Sequence, residues 1–442
     1  MSSSLAPEQR EWLDGLQRRA LIVGAVALIV CVLGAFFSPT QFFLAYLAAY
    51  MFCLGIGLGS LVILMIYHLT GGAWGFIVRR ILEATTRTIP LLAVLFVPVA
   101  CGVYYLYLWT DPDKVAADPS LQYKQIYLNV PFFFGRAVLY FVLWSLLAYL
   151  LNRWSRIQDQ SGVWAARSAS GFPPSDSRSE SATMSGMPPT DSRSESATIM
   201  AERMQRLSGP GLVVYGISLT FAAVDWVMSL QPAFHSTIFG PLVATSELLS
   251  ALSFTILVLI WLSSRPPLAE VVSPDAFRDF GNLLLTFLIL WAYMVFFQFM
   301  LIWIANLPYE VIWYLPRSRD GWEWVTWALF VFTLVVPFFS LLMREVKENP
   351  RPLAKVAWLV LFMQLVFVYY LVVPNFPDTT ILDHWMDFLT PLGVGGLWLA
   401  YFLYQLKQGP LLPLHDLSRE AALHLRELDA EESHEEEEAA RV

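Results

Sequence analysis

Two carboxylates stand inside runs that are otherwise apolar. Asp225 falls near the end of one, in "FAAVDWVMSLQP" (221–232), and Glu247 interrupts the next, between residues 238 and 262. A charged side chain at the centre of a membrane helix costs about 2.5–3.5 kcal/mol on insertion scales, so each acid needs a partner, a water-filled cavity or a proton. A carboxyl group in apolar surroundings holds its proton up to higher pH and can pass it on near neutrality. Ser218, Asp225 and Ser229 follow steps of seven and four and so share one helix face. Glu247 lies about ten residues into its run, roughly 15 Å at ~1.5 Å per residue, with Ser250 one turn deeper.

Other polar groups sit nearer the two surfaces. His235 is in the short connection "QPAFHST" between the Asp225 and Glu247 runs. On the same side are Glu310 in "ANLPYEVIWY", and His384 and Asp387 in "LDHWMDF". On the other side are His68, Glu83 and Asn282, and Gln298 and Gln364 add neutral polar groups at depth. These positions suggest a proton path: His68 and Glu83 as inner mouth, Asp225 and Glu247 as central relay, His235, Glu310, His384 and Asp387 as outer mouth. A quinol headgroup needs two hydrogen-bond partners, one able to take a proton, in an aromatic setting. Asp225, Trp226, His235 and Glu310 would supply them. No residue is assigned a catalytic role, and no metal site is expected.

The elements that carry these groups follow from composition. The 442 residues are 57% hydrophobic and only 14% charged, against about 25% charged in soluble domains. The expected fold is an all-α polytopic membrane protein. Ten apolar runs approach the ~20 residues a span needs: 20–37, 41–67, 89–109, 132–151, 210–230, 238–262, 281–304, 323–343, 353–373 and 386–405. Most of the 28 Lys and Arg fall in alternate connections. The exceptions are Lys114, Lys124, Arg317 and Arg319, with Arg136 at a span edge. By the positive-inside rule both termini are expected in the cytoplasm.

The organisation is then a polar N-terminus (1–19), spans one to four (20–151), a linker (152–208), spans five to ten (209–405) and an acidic tail (406–442). The linker holds a tandem repeat, "PPSDSRSESATMSGM" (173–187) and "PPTDSRSESATIMAE" (188–202). With no apolar face it cannot bury a core and reads as flexible. Cys31, Cys53 and Cys101 lie apart in apolar runs and read as buried small side chains. With no CxxC or CxxCH, the chain provides no iron–sulphur ligand set and no c-type haem attachment of its own. Gly55, Gly57 and Gly59 in "CLGIGLGS" sit inside a span and predict a close helix crossing, not a phosphate loop.

Three stretches carry a family resemblance: "DWVMSLQP…HSTIFGPL" (225–242), "QFMLIWIANLPYEVIWY" (298–314) and "LTPLGVGGLWLAYF" (389–402). They resemble the ActF-type, NrfD-like membrane subunits of alternative complex III, a quinol:electron-acceptor oxidoreductase of bacterial inner membranes. The resemblance covers the ten spans and leaves out the repeat linker and the acidic tail. It implies two four-helix bundles with two flanking helices. It also implies partners: a sister NrfD-like subunit that oxidises menaquinol or another quinol, a periplasmic iron–sulphur subunit, c-type cytochrome subunits bearing haem c, and membrane lipid, with no nucleic acid. The chain itself would scaffold the membrane sector and carry a proton path. It departs from the family pattern where a Pro-His-Trp string is replaced by Pro232, Ala233, Phe234 and His235, and where Tyr309 precedes a single carboxylate, Glu310. A quinol-binding subunit in its own right, and a secondary transporter, are the alternatives the residues leave open.

Overall fold

The computed structural model describes residues 7–169, 190–265, 268–270, 272–376, 385–409 and 411. Among these every regular element is helical. Ten helical stretches are long and apolar enough to cross a membrane: Gln9–Ala35, Pro39–Thr70, Trp74–Cys101, Val130–Asp159, Thr198–Leu230, Phe239–Ser263, Pro274–Ala305, Trp322–Leu342, Pro350–Asn375 and Met386–Leu406, called spans 1 to 10 below. Helices satisfy their backbone groups internally, which is what a chain this apolar requires in hydrocarbon.

Spans 2 and 6 form the centre and pack directly on each other. Spans 3 and 5 pack on span 2, with span 4 against both of them; spans 7 and 9 pack on span 6, with span 8 against both of them. Spans 1 and 10 pair with each other on the flank of span 2. Small residues set the closest crossings. A Cβ on Gly24 of span 1 would lie 2.7 Å from the Leu397 nitrogen, and one on Gly396 of span 10 would lie 2.7 Å from Gly24 Cα. On span 2, a Cβ on Gly55 would stand 3.2 Å from Glu247 Cγ, and one on Gly59 would overlap the Glu247 carbonyl. The glycine string is therefore a helix-packing surface: Gly55 and Gly59 face the turn of span 6 that bears Glu247, and Gly57 faces Leu92 of span 3.

Several boundaries differ from the sequence expectation. The first helix begins at Pro7 and runs unbroken into the membrane span, so the polar residues from Pro7 to Arg19 are not a separate segment. Trp12 packs against Trp261 of span 6, ring centroids 4.4 Å apart and tilted by 33°, and Arg265 lies 3.8 Å over the Trp12 ring. The third span starts at Trp74 rather than 89, because the run "AWGFIVRRILEATT" hides its arginines against neighbouring helices. Its later part is broken into short helices, Ile89–Leu95 and Val97–Cys101, and a further one, Val103–Leu106, follows it. Pro90 and Pro98 withdraw backbone donors there. The Tyr50 and Tyr46 hydroxyls of span 2 donate to the carbonyls of Leu92 (3.0 Å) and Leu95 (2.8 Å). Both ends of the expected linker are helical: one helix runs on to Ala169 and the next starts at Thr190. The first repeat copy and the acidic tail from 412 lie outside the described residues. Cys31 and Cys53 are buried as expected, but Cys101 is exposed on the broken part of span 3.

Candidate functional site

Glu247 occupies the middle of the molecule, where spans 2, 5, 6 and 9 meet. It is 4% exposed. The Tyr215 hydroxyl of span 5 donates to its Oε2 at 2.7 Å. Its Oε1 is buried with no partner. No Lys or Arg lies within ion-pair distance among the described residues. Beside it the Ser246 hydroxyl donates to Gln364 Oε1 of span 9 at 2.5 Å, which leaves Gln364 Nε2 without an acceptor. A small cavity adjoins this cluster, with about 20 Å³ of room for the centre of a water. Its walls are Gly55, Ser246, Glu247 and Ser250 together with apolar side chains such as Phe52 and Val368. About 10–15 Å³ on this measure holds one water, so the space suits one or two waters and not a quinone ring.

Asp225 is built differently. Its carboxylate is fully buried and gripped from span 4: Arg136 Nε donates to Oδ2 at 2.7 Å, Arg136 Nη2 to Oδ1 at 2.8 Å, and the Tyr140 hydroxyl to Oδ2 at 2.9 Å. The guanidinium also donates to the Tyr127 carbonyl at 3.0 Å and lies 3.9 Å over the Tyr127 ring. Surrounding bonds lock this corner. Tyr107 donates to the Trp226 carbonyl at 3.0 Å, Ser229 to the Asp225 carbonyl at 2.6 Å, and Lys124 to the Pro232 carbonyl. Burial lowers the Lys124 pKa from its ordinary value. A fork-to-fork guanidinium–carboxylate pair offsets the desolvation of both charges. The cost of Asp225 is thus met by a cation, not by a free proton. Arg136 is the residue that sequence reasoning left at a span edge. The available signal was an opposite charge near the matching end of the adjacent span.

At the basic end, Glu83 is equally committed. It accepts from Arg80 Nη1 at 2.6 Å, Arg79 Nε at 3.0 Å and the Ser155 hydroxyl at 2.5 Å, with Arg87 at 3.5 Å. Arg80 also pairs with Asp159 of span 4. His68 lies on span 2 near this cluster, its Nε2 buried and unpartnered.

The remaining groups do not join these clusters by hydrogen bonds. His235 is exposed and stacks on Tyr309, rings 5.1 Å apart and 10° from parallel. Glu310 follows Tyr309 in a short helix, half-buried. Asp387 is half-buried in the first turn of span 10, and His384 lies outside the described residues. The expected quinol contacts also part company: Asp225 and Trp226 are sealed inside, whereas His235 faces out. Among the described residues no three of His, Cys, Asp and Glu converge to hold a metal ion.

One basic residue that sequence places only in a connection is a buried cation. Arg317, 2% exposed, donates to the carbonyls of Tyr370 (3.1 Å), Leu371 (3.0 Å) and Trp313 (2.5 Å) and reaches Asn375 Oδ1. Its guanidinium lies 3.4 Å over the Trp313 ring. It therefore caps the C-terminal end of the long helix in span 9, where carbonyls lack intrahelical donors and a positive charge is favoured. Burial pulls its pKa down to about 9, which still leaves it charged at neutral pH. Nothing in local sequence marks this arginine apart from Arg319, because, besides the nearby Trp313 carbonyl, its acceptors come from a helix about fifty residues away.

Compared with known proteins, the chain matches no family model and no curated protein.

Proposed function

We propose that this chain is a proton-handling, ActF-type membrane subunit of alternative complex III in a bacterial inner membrane, with both termini in the cytoplasm. Glu247 is the group through which a proton passes its interior. The reading of the complex rests on the motif resemblance at 225–242, 298–314 and 389–402. The observation that carries the proton role is the contrast among the buried acids. Asp225 and Glu83 are neutralised by arginines, while Glu247 keeps one oxygen free beside a water-sized cavity. An acid in that setting exchanges a proton instead of holding a fixed charge. Asp225 is then a structural ion pair and leaves the relay. Quinol oxidation is assigned to the sister NrfD-like subunit, since the space beside Glu247 is too small for the headgroup. Haem c and iron–sulphur clusters on partner chains carry the electrons.

The test has two stages. Mild solubilisation and capture of this chain should bring down large partner subunits with c-type haem absorbance. A colourless chain captured alone would refute the complex. In the intact complex, Glu247→Gln should lower proton-coupled quinol turnover while subunit composition stays unchanged. Undiminished proton coupling in that variant would remove Glu247 from the path and leave the complex assignment standing.

A further inference from the structure

The basic end of spans 3 and 4 carries more positive charge than its acids neutralise. Arg79, Arg80 and Arg87 of span 3 share Glu83, and Arg80 also takes Asp159. Arg153 and Arg156 of span 4 stand beside this group without a carboxylate in ion-pair reach among the described residues. Among the described residues, five guanidinium groups therefore meet two carboxylates.

Asn152 determines how the unneutralised ones gather. Its Oδ1 accepts from Arg87 Nε at 2.7 Å and its backbone oxygen from Arg156 Nε at 3.4 Å. Its own amide is fixed by donation to Thr86 Oγ1 at 2.9 Å and to the Ala148 carbonyl at 2.8 Å. One residue thus draws guanidinium groups from two spans together, and among the described residues the outer nitrogens of Arg156 have no acceptor. Tyr149, Arg153 and Arg156 are exposed and, at spacings of four and three, lie on one face of span 4. Arg153 donates to the Tyr149 hydroxyl at 3.2 Å. The same face continues down the helix as exposed Leu146 and Val142, and span 3 alongside exposes Val94 and Val97.

We propose that the exposed face where spans 3 and 4 meet binds an anionic phospholipid of the leaflet on the basic side. Its phosphate lies against Arg87, Arg153 and Arg156, and an acyl chain lies along the apolar face below. Charge complementarity selects this occupant. Guanidinium groups match phosphate oxygens with paired donors, and a phosphate relieves the repulsion between cations held close together. A zwitterionic lipid would fill the apolar face but leave the surplus charge. Inorganic phosphate would answer the charge but not the apolar face.

The experiment titrates the full-length protein in mild detergent with phosphatidylglycerol or phosphatidylcholine and counts bound lipids by native mass spectrometry. Phosphatidylglycerol should bind in preference. The double variant R153Q/R156Q should weaken it about 25-fold, at about fivefold for each guanidinium. R206Q, on span 5 and paired with Glu202, should leave it unchanged. Both substituted arginines are exposed and, among the described residues, have no ion pair, so the double variant should elute as the wild type does. Millimolar inorganic phosphate should leave the lipid in place. Equal binding of the two lipids, full retention by the double variant, or displacement by inorganic phosphate would each overturn the proposal.

Discussion

Arg136 holds both carboxylate oxygens of Asp225, at 2.7 and 2.8 Å, across the interface between spans 4 and 5. The arginine is 7% and the aspartate 0% exposed, so neither charge has water to fall back on. Removing one partner of such a pair leaves the other buried and uncompensated, at a cost of about 3–5 kcal/mol. Asp225→Asn should therefore lower the thermal unfolding midpoint sharply and reduce the yield of folded protein. The double replacement Arg136→Met with Asp225→Leu should recover much of the loss. A variant D225N with wild-type stability but altered proton coupling would instead put Asp225 back in the relay.

Tyr215 and Glu247 separate stability from chemistry. Glu247→Gln keeps an oxygen to accept from the Tyr215 hydroxyl, so its stability should change by less than about 1 kcal/mol. Tyr215→Phe strips the carboxyl group of the one hydrogen bond it has, at a cost of about 1–3 kcal/mol. Detergent-phase thermal unfolding of the two variants should rank E247Q above Y215F, and the reverse order would mean that the Oε2 contact is not what holds the side chain.

The glycines of span 2 should respond unequally to added bulk. A Cβ on Gly59 meets the backbone of span 6, which cannot yield without moving the helix. A Cβ on Gly57 meets Leu92 Cδ1 at 3.0 Å, the end of a side chain that can turn away. Gly59→Ala should cost about 1–3 kcal/mol as an overpacked crossing, and Gly57→Ala clearly less. Equal midpoints for the two variants would contradict this account of the crossing.

Arg317 predicts a local loss. Arg317→Met leaves the carbonyls of Tyr370 and Leu371 with fewer donors at the end of the span 9 helix, and should destabilise by more than about 2 kcal/mol. Limited proteolysis should then cut first near residues 306–321, the connection that Arg317 pins to span 9. Cleavage spread evenly over all connections would show that the cap is not what secures this loop.

Composition and spacing were enough to establish an all-helical, ten-span membrane protein, because a run of apolar residues cannot meet its backbone hydrogen bonds in hydrocarbon any other way. The same local logic marked Gly55, Gly57 and Gly59 as a packing surface and singled out Asp225 and Glu247 as acids that need an explanation. Only the tertiary structure decided which explanation each acid has. Arg136 is 89 residues from Asp225, Tyr215 is 32 from Glu247, and Arg317 finds the carbonyls of Tyr370 and Leu371 more than fifty residues on. A charge buried in a helix looks the same in sequence whether a guanidinium, a hydroxyl or a water faces it. The difference lies in the rotation and depth at which neighbouring helices pack, and those are set by contacts between residues far apart in the chain.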